Sequence, residues 1–312
     1  MELFDEYISF EKMIFSDHPD IQYVNNLDEE FIICTLCRIP KFRPFLLSEV
    51  VHLAAEYCQS QKFKDQFISD CSLISPVILH RLFKIGVYSF DEILNEMKKP
   101  GRYRLAAYFL RQPLDYEDYI SNENNPYKDL PCSFDEISGY VEFGFAPFSI
   151  EYALKYDEIE VLQSILSDPS YYNIENQSWN LFEWTKKPNN LDALSFSGYF
   201  GSIKCFKRLL FNNCQINEGV IQCVISGGSN DLFHIVRSSI SNPSQCLYYA
   251  CQHCRYSFID YFLDQSINLD CADQNNNWTS LMVASKNGHI SIAQVLFGNG
   301  ANRDIQDCFV KC

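Results

Sequence analysis

The chain has 312 residues, of which 47% are hydrophobic and 15% aromatic, a composition typical of a folded protein. It carries 25 basic and 40 acidic side chains, a net charge of −15. This charge disfavours nucleic acid and anionic membrane surfaces as partners, because both are bound through lysine and arginine. No apolar run approaches the roughly 18–20 residues of a membrane-spanning helix, and the N-terminus lacks the basic region of a secretory signal. We therefore expect a cytoplasmic protein without membrane insertion.

The first 111 residues have helical apolar spacing but no clear repeat. The helical segments are 27–39, 44–58, 76–85 and 102–110. Ser75 followed by Pro76 is typical of a capped helix start, and Ser89 with Glu92 is typical of a capping box. The sequence therefore predicts an irregular helical N-terminal region over residues 1–111.

Residues 112–131 form a separate segment that is rich in asparagine, proline and acidic side chains. It holds five acids and three tyrosines: Asp115, Glu117, Asp118, Glu123, Asp129, Tyr116, Tyr119 and Tyr127. One interpretation is a solvated acidic linker. The other is an acidic, aromatic peptide that docks on a partner or on the chain itself.

The C-terminal part of the chain contains an internal repeat. Residues 247–273 align with residues 281–307 at a spacing of 34, so that Ala250 falls on Ala284 and Asp270 on Asp304. More degenerate helix pairs precede them at 149–156 with 158–166, 194–203 with 205–210, and 220–226 with 231–237. Residues 178–190, with Trp179 and Trp184, interrupt the series as an insertion. About five stacked helix pairs are enough to bury a continuous core.

The last repeat has the local signals of a helix pair. Thr279 can cap a first helix, and Gly288 can end it because glycine tolerates the left-handed conformation. The first helix is predicted to bury Leu281, Ala284 and Ser285, and the second Ile292, Ala293, Leu296 and Phe297. Neither helix can bury its apolar face alone, so each pair requires neighbours.

The same repeat resembles the ankyrin family. Residues 278–289 resemble its T-P-L-H-x-A-A-x-x-G-H helix, and residues 300–304 resemble its G-A-D/N-x-N finger. Ser280 stands in place of proline, Met282 in place of histidine and Asn277 in place of the turn glycine. The arrangement is similar to the divergent ankyrin proteins found in expanded families of single-celled eukaryotes.

From this resemblance we predict an all-α fold: an α-solenoid of ankyrin-like helix pairs with short finger loops, preceded by the irregular helical region. The predicted domains are a helical region at 1–111, an acidic linker at 112–131 and a repeat array at 132–312. The clearest repeats are 191–217, 246–273 and 278–307.

The resemblance implies a non-catalytic scaffold or adaptor that binds another protein through the concave face of the array. In ankyrin proteins, partners contact the finger tips and the exposed edges of the first helices. The equivalent positions here are Asn275, Asn276, Trp278, Lys286, Asn287, Gln252, Tyr199, Phe200 and Arg303. Trp278 is the best candidate anchor, because exposed aromatic residues are frequent binding hot spots. The alternative is that Trp278 packs against the neighbouring finger, and that Tyr199 and Phe200 are lid residues over an irregular repeat.

The alternative function is a zinc- or thiol-dependent enzyme or sensor. Cys34 with Cys37, and Cys251 with Cys254, have the C-x-x-C spacing of zinc and redox sites. Cys246 and His253 could supply further ligands. Cysteine is also a small hydrophobic residue that fits a tight helix seam. We predict packing, with no cofactor and no metal.

No helix is predicted to follow the last repeat. Ile292, Leu296 and Phe297 are therefore expected to be covered on one side only. Phe309 and Val310 extend beyond them. An exposed apolar edge of this kind favours self-association or partner binding.

Overall fold

The structure, a computed structural model, describes residues 2–15, 27–42, 46–109, 137–167, 191–265, 267–273 and 277–305. Within these residues it contains eighteen α-helices, one short 3-10 helix and no strand, so the all-α prediction is confirmed. None of these helices is long and apolar enough to cross a bilayer. Residues 112–131, 178–190, 309 and 310 lie outside the described ranges, so the predicted linker, the insertion and the domain boundaries stay predictions.

Eight described helices precede the repeats. They are α1 (Glu2–Phe15), α2 (Glu29–Phe42), α3 (Leu47–Tyr57), α4 (Gln61–Ile74), α5 (Pro76–Lys84), α6 (Phe90–Met97), α7 (Tyr103–Tyr108) and α8 (Ile137–Phe143). The four predicted helical segments correspond to α2, α3, α5 and α7, whereas α1 and α4 were not predicted. The capping box at the start of α6 is confirmed, because the Ser89 hydroxyl accepts the Glu92 N–H and the Glu92 carboxylate accepts the Ser89 N–H. Pro76 begins α5, but the Ser75 hydroxyl makes no capping hydrogen bond.

The remaining helices form five consecutive pairs, as predicted. The pairs are α9 (Ile150–Tyr156) with α10 (Ile159–Leu166), α11 (Ala193–Phe200) with α12 (Ile203–Phe211), α13 (Glu218–Gly227) with α14 (Asn230–Val236), α15 (Pro243–Gln252) with α16 (Tyr256–Leu263), and α17 (Ser280–Lys286) with α18 (Ile290–Gly298).

The chain divides into two compact units. The helical unit comprises Ile21–Tyr152 and Ser178–Lys186, and the repeat unit comprises Met1–Asp20, Ala153–Gln177 and Lys187–Cys312. The first helix, α1, therefore belongs with the repeats and not with the helices that follow it in sequence.

The helical unit buries one apolar core and one ionic cluster. Ile33, Leu36, Val50, Phe67, Ile78 and Leu82 lie in the core and are inaccessible to solvent. The carboxylate of the buried Glu96 accepts hydrogen bonds from Arg102 Nε at 2.8 Å and from Lys99 Nζ at 2.6 Å. Burial alone would raise the pKa of Glu96, but the two cations outweigh it and hold that pKa below its usual value. The ion pairs therefore keep this buried carboxylate charged.

In the repeat unit, a left-handed residue joins the two helices of every pair. These residues are Asp157, Gly201, Gly228, Cys254 and Gly288, with φ of 57°, 72°, 81°, 56° and 69°. In four pairs, the next N–H donates to a carbonyl five residues earlier, at 2.9–3.0 Å: Glu158 to Ala153, Ser202 to Ser197, Arg255 to Ala250 and His289 to Ala284. This is the Schellman ending of a helix, and it turns the chain back for the second helix.

From α11 to α17, the first helices of neighbouring pairs lie against one another, and α11 and α13 approach most closely. A Cβ atom at Gly227 would lie 2.3 Å from the carbonyl oxygen of Tyr199. A Cβ atom at Gly198 is nearest to Val224, with its Cγ2 at 3.0 Å. Residue 227 therefore has to be glycine for the two backbones to meet at this distance.

Helix α1 packs on α18, the last described helix of the array. Glu11 is 3% exposed, and its carboxylate accepts the N–H of Ser291 at 2.9 Å and the hydroxyl of Ser291 at 3.0 Å. His289 Nδ1 lies 3.5 Å from the other carboxylate oxygen, and the Tyr256 hydroxyl also hydrogen-bonds to Ser291. A carboxylate at this position complements the unpaired N–H groups and the dipole of the helix N-terminus. The two elements are 280 residues apart in sequence.

We expect Gly227→Ala to lower the free energy of unfolding by roughly 1–3 kcal/mol, the scale of overpacking in a core, because the backbone of α11 has to move. The matched control is Gly298→Ala in α18, where a Cβ atom meets nothing within 4 Å. That change should alter stability by at most about 1 kcal/mol. Urea unfolding followed by circular dichroism measures both variants. Equal effects would contradict the close approach of α11 and α13.

Replacing Glu11 should release α1 while the repeats stay folded. Glu11→Ala removes a buried, charged hydrogen-bond acceptor, and such bonds are worth about 1.5–3 kcal/mol. Hydrogen exchange measured by mass spectrometry should then rise across α1, whereas Glu6→Ala on the same helix should have little effect. Unchanged protection of α1 in the Glu11 variant would show that apolar packing alone holds this helix.

Candidate functional site

The finger loops of the last two repeats have the same geometry. The side chains of Asn268 and Asn302 each accept the N–H two residues further on, that of Asp270 at 3.0 Å and that of Asp304 at 2.9 Å. The carboxylate of Asp270 also accepts the N–H of Asn302 at 2.8 Å, which links one finger to the next. Residues that align between the two repeats in the sequence therefore also occupy equivalent positions in the two finger loops.

Trp278 is held at the base of the finger that precedes α17. Its carbonyl accepts the N–H of Asp273 at 2.9 Å, and the Asp273 carboxylate accepts a hydrogen bond from Gln245 Nε2 of α15 at 2.6 Å. Asn277 has φ of 55°, the left-handed conformation of the turn glycine that it replaces. Thr279 then caps α17 as predicted, since its hydroxyl accepts the Met282 N–H. The backbone of Trp278 is thus held between the turn at Asn277 and the start of α17.

The half-buried Trp278 indole is paired with a cation. Lys286 Nζ lies 3.7 Å from the ring centroid, within the range of a cation–π interaction. The following residue, Asn287, donates from Nδ2 to the carbonyl oxygen of Gln252 at 3.4 Å. Four of the predicted binding residues, Trp278, Lys286, Asn287 and Gln252, are therefore brought together along the edges of α15 and α17.

A groove of about 870 Å³ opens on the last repeat. It is lined by Trp278, Thr279, Leu281, Met282, Ser285, Lys286, Gly288, His289, Ile290, Ala293, Gln294, Phe297, Asn302, Arg303 and Ile305. The predicted residues Trp278, Lys286 and Arg303 belong to it. Most of its other residues were not predicted as binding residues, although the sequence predicted an exposed apolar edge here.

The first helix of the last repeat differs from the prediction. Ala284 is buried as expected, but Leu281 is only half-buried and Ser285 is exposed. The predicted burial of Leu281 and Ser285 was wrong because these residues face the end of the array. No helix follows α18 there among the described residues.

The second helix of the last repeat, α18, likewise has both buried and exposed apolar residues. Ile292 and Leu296 are inaccessible to solvent, so the expectation that they are covered on one side only was wrong. Ala293 is half-buried and Phe297 is 55% exposed, because both line the groove. The end of the array therefore presents an apolar surface. The sequence predicted an exposed apolar edge at this end, but it placed Leu281 and Ala293 of this surface in the core.

The other predicted binding residues are not part of this surface. Tyr199 and Phe200 are 3% exposed, and Lys155 Nζ lies 5.5 Å from the centre of the Phe200 ring. Their side chains fill the interior of the array and are not available to a partner in this conformation. Asn275 and Asn276 lie outside the described residues.

The C-x-x-C pair of the repeats and the nearby Cys246 are buried. Cys251 and Cys254 are inaccessible to solvent, and Cys246 is 5% exposed. Burial raises the pKa of the Cys246 thiol to about 12 and raises that of Cys251 above its usual range. Both thiols therefore stay protonated at neutral pH, which is the less reactive form. Cys254 lies at the left-handed turn position that Gly288 occupies in the next repeat.

The N-terminal pair differs, because Cys34 is exposed and Cys37 is buried. Although Cys34 is exposed, its sulfur is partly shielded from water, and this partial desolvation is the main reason why its pKa is raised. In the part of the chain that the structure describes, no three histidine, cysteine, aspartate or glutamate side chains are grouped so that they could hold a metal ion.

Comparison with known proteins supports the ankyrin resemblance. Residues 194–307 match the family described as ankyrin repeats, in three copies. A search of curated proteins found no match. Ankyrin repeats are in general protein–protein interaction modules, and the family is typically non-catalytic. The matched segment contains the helix pairs from α11 to α18, with their recurrent left-handed turns and finger contacts. Residues 194–307 therefore form an ankyrin-repeat region.

Proposed function

We propose that this protein is a non-catalytic adaptor that binds another protein along the concave edge of its ankyrin array. The observation that carries the proposal is the Trp278 indole, which is fixed by the finger turn and paired with Lys286 at 3.7 Å. A rigid, half-exposed aromatic ring loses little conformational freedom on binding, and tryptophan is enriched among hot spots. Asn287 and Gln252 continue the same edge.

The charge of the chain narrows the choice of partner. A net charge of −15 favours a protein partner over nucleic acid or an anionic membrane. No described cysteine forms a disulfide bond, which is consistent with a reducing compartment. The proposal therefore places the protein in the cytoplasm, without a cofactor.

The proposal is tested by affinity capture with the full chain and quantitative mass spectrometry. Trp278→Ala should recover at least about tenfold less of the partner that the wild-type protein captures, because a hot spot contributes about 2 kcal/mol or more. The matched control is Phe211→Ala, which removes another exposed aromatic ring beside a cation, Arg208, at 5.6 Å. The control should bind like the wild type. Equal recovery with both variants would contradict binding through Trp278.

A further inference from the structure

The groove on the last repeat occupies the face on which a following helix pair would stack. At the spacing of 34 residues, Leu281, Ser285 and Ala293 are equivalent to Leu247, Cys251 and Ile259 of the preceding repeat. Leu247, Cys251 and Ile259 are at most 1% exposed. In the preceding repeat, α17 lies against α15, so these positions form the stacking face. The groove therefore lies where a helix of a following repeat would pack.

The rim of this groove is positively charged in a strongly acidic chain. Lys286 and Arg303 are among its lining residues, and no carboxylate is among the described residues that line it. Asp304, whose carboxylate lies 3.7 Å from Arg303 Nε, is outside the lining. The carboxylate of Glu11 lies near His289 and is 3% exposed, so it faces away from solvent. An incoming helix thus meets an apolar floor with two exposed cations beside it.

We infer that this groove binds an amphipathic α-helix of a partner protein, with leucine-like side chains on one face and glutamate or aspartate residues along its flank. The apolar face fills the space between Leu281, Ala293 and Phe297. The acidic flank pairs with Lys286 and Arg303. This inference rests on the proposed function and gives the chemical class of the partner.

A second copy of this chain fits the groove less well. In a two-fold dimer both partners use the same surface, so that Lys286 and Arg303 of each copy would share one interface. Like charges facing one another across an interface oppose association. An acidic helix neutralises the same two cations, so charge complementarity favours it.

The test uses two synthetic peptides of about 18 residues, long enough for five helical turns. Both carry leucines on one helical face; one has glutamates on the other face and the second has lysines. Binding of the labelled peptides to the full-length protein is measured by fluorescence polarisation. We expect the acidic peptide to bind at least about tenfold more tightly than the basic one, the effect of about 1.4 kcal/mol.

Two variants in the groove and one control outside it test whether the peptide binds there. Ala293→Glu places a charge on the apolar floor and should abolish binding of the acidic peptide. Lys286→Glu combined with Arg303→Glu should reverse the preference in favour of the basic peptide. Phe211→Glu is the control, because it changes a 78% exposed apolar residue outside the groove and should leave binding unchanged. Circular dichroism checks that each variant keeps its helix content.

Equal binding of the two peptides, no binding of either, or binding that survives Ala293→Glu would overturn the inference. A dimer that sedimentation detects in the wild type and that Ala293→Glu dissociates would assign the groove to a second copy instead. The proposed function is judged separately. If the natural partner is lost with Trp278→Ala but neither peptide binds, the concave-edge proposal stands and the helix inference fails.

Discussion

The left-handed turn between the two helices of each pair is the constraint on which the array depends. It occurs at Asp157, Gly201, Gly228, Cys254 and Gly288. Each turn ends a first helix and sends the second back beside it. The first helices then stack on one another, most tightly where Gly227 lets the backbone of α13 meet that of α11. A substitution at a turn or at this contact therefore affects the packing of neighbouring pairs.

The same stacking explains the surface of the last repeat. Positions that each earlier pair buries under its successor are open at Leu281, Ser285 and Ala293. On the opposite side of this repeat, α15 packs on α17 and Tyr256 of α16 hydrogen-bonds to Ser291. Helix α1 is fixed at the start of α18 through Glu11. Trp278 and Lys286 both line the groove at this open end. One end of the array thus presents both apolar surface and positive charge.

The sequence predicted those features that depend on local signals. The helix start at Thr279 and the turn at Gly288 follow from residues close together in the chain. The period of 34 residues follows from the alignment of two neighbouring repeats. The sequence did not predict α1 on α18, because that contact joins residues 280 positions apart. It assigned Leu281 and Ser285 to the core because an apolar helical face does not reveal whether a neighbour covers it. Tyr199 and Phe200, which were predicted as lid residues or as partner contacts, lie inside the array near Lys155, because the sequence does not show which aromatic residues a neighbouring helix covers.

Each helix pair is stabilised by the elements that pack directly against it, and a chain cut after Asn268 tests this most directly. Circular dichroism and urea unfolding should show that the shortened protein keeps a cooperative transition. It should lose only the helical signal of α17 and α18, together with that of α1, which has lost its contact with α18. In a stack of nearest neighbours, removal of a terminal unit leaves the remainder folded. Loss of all cooperative structure would show instead that the last repeat closes a single core.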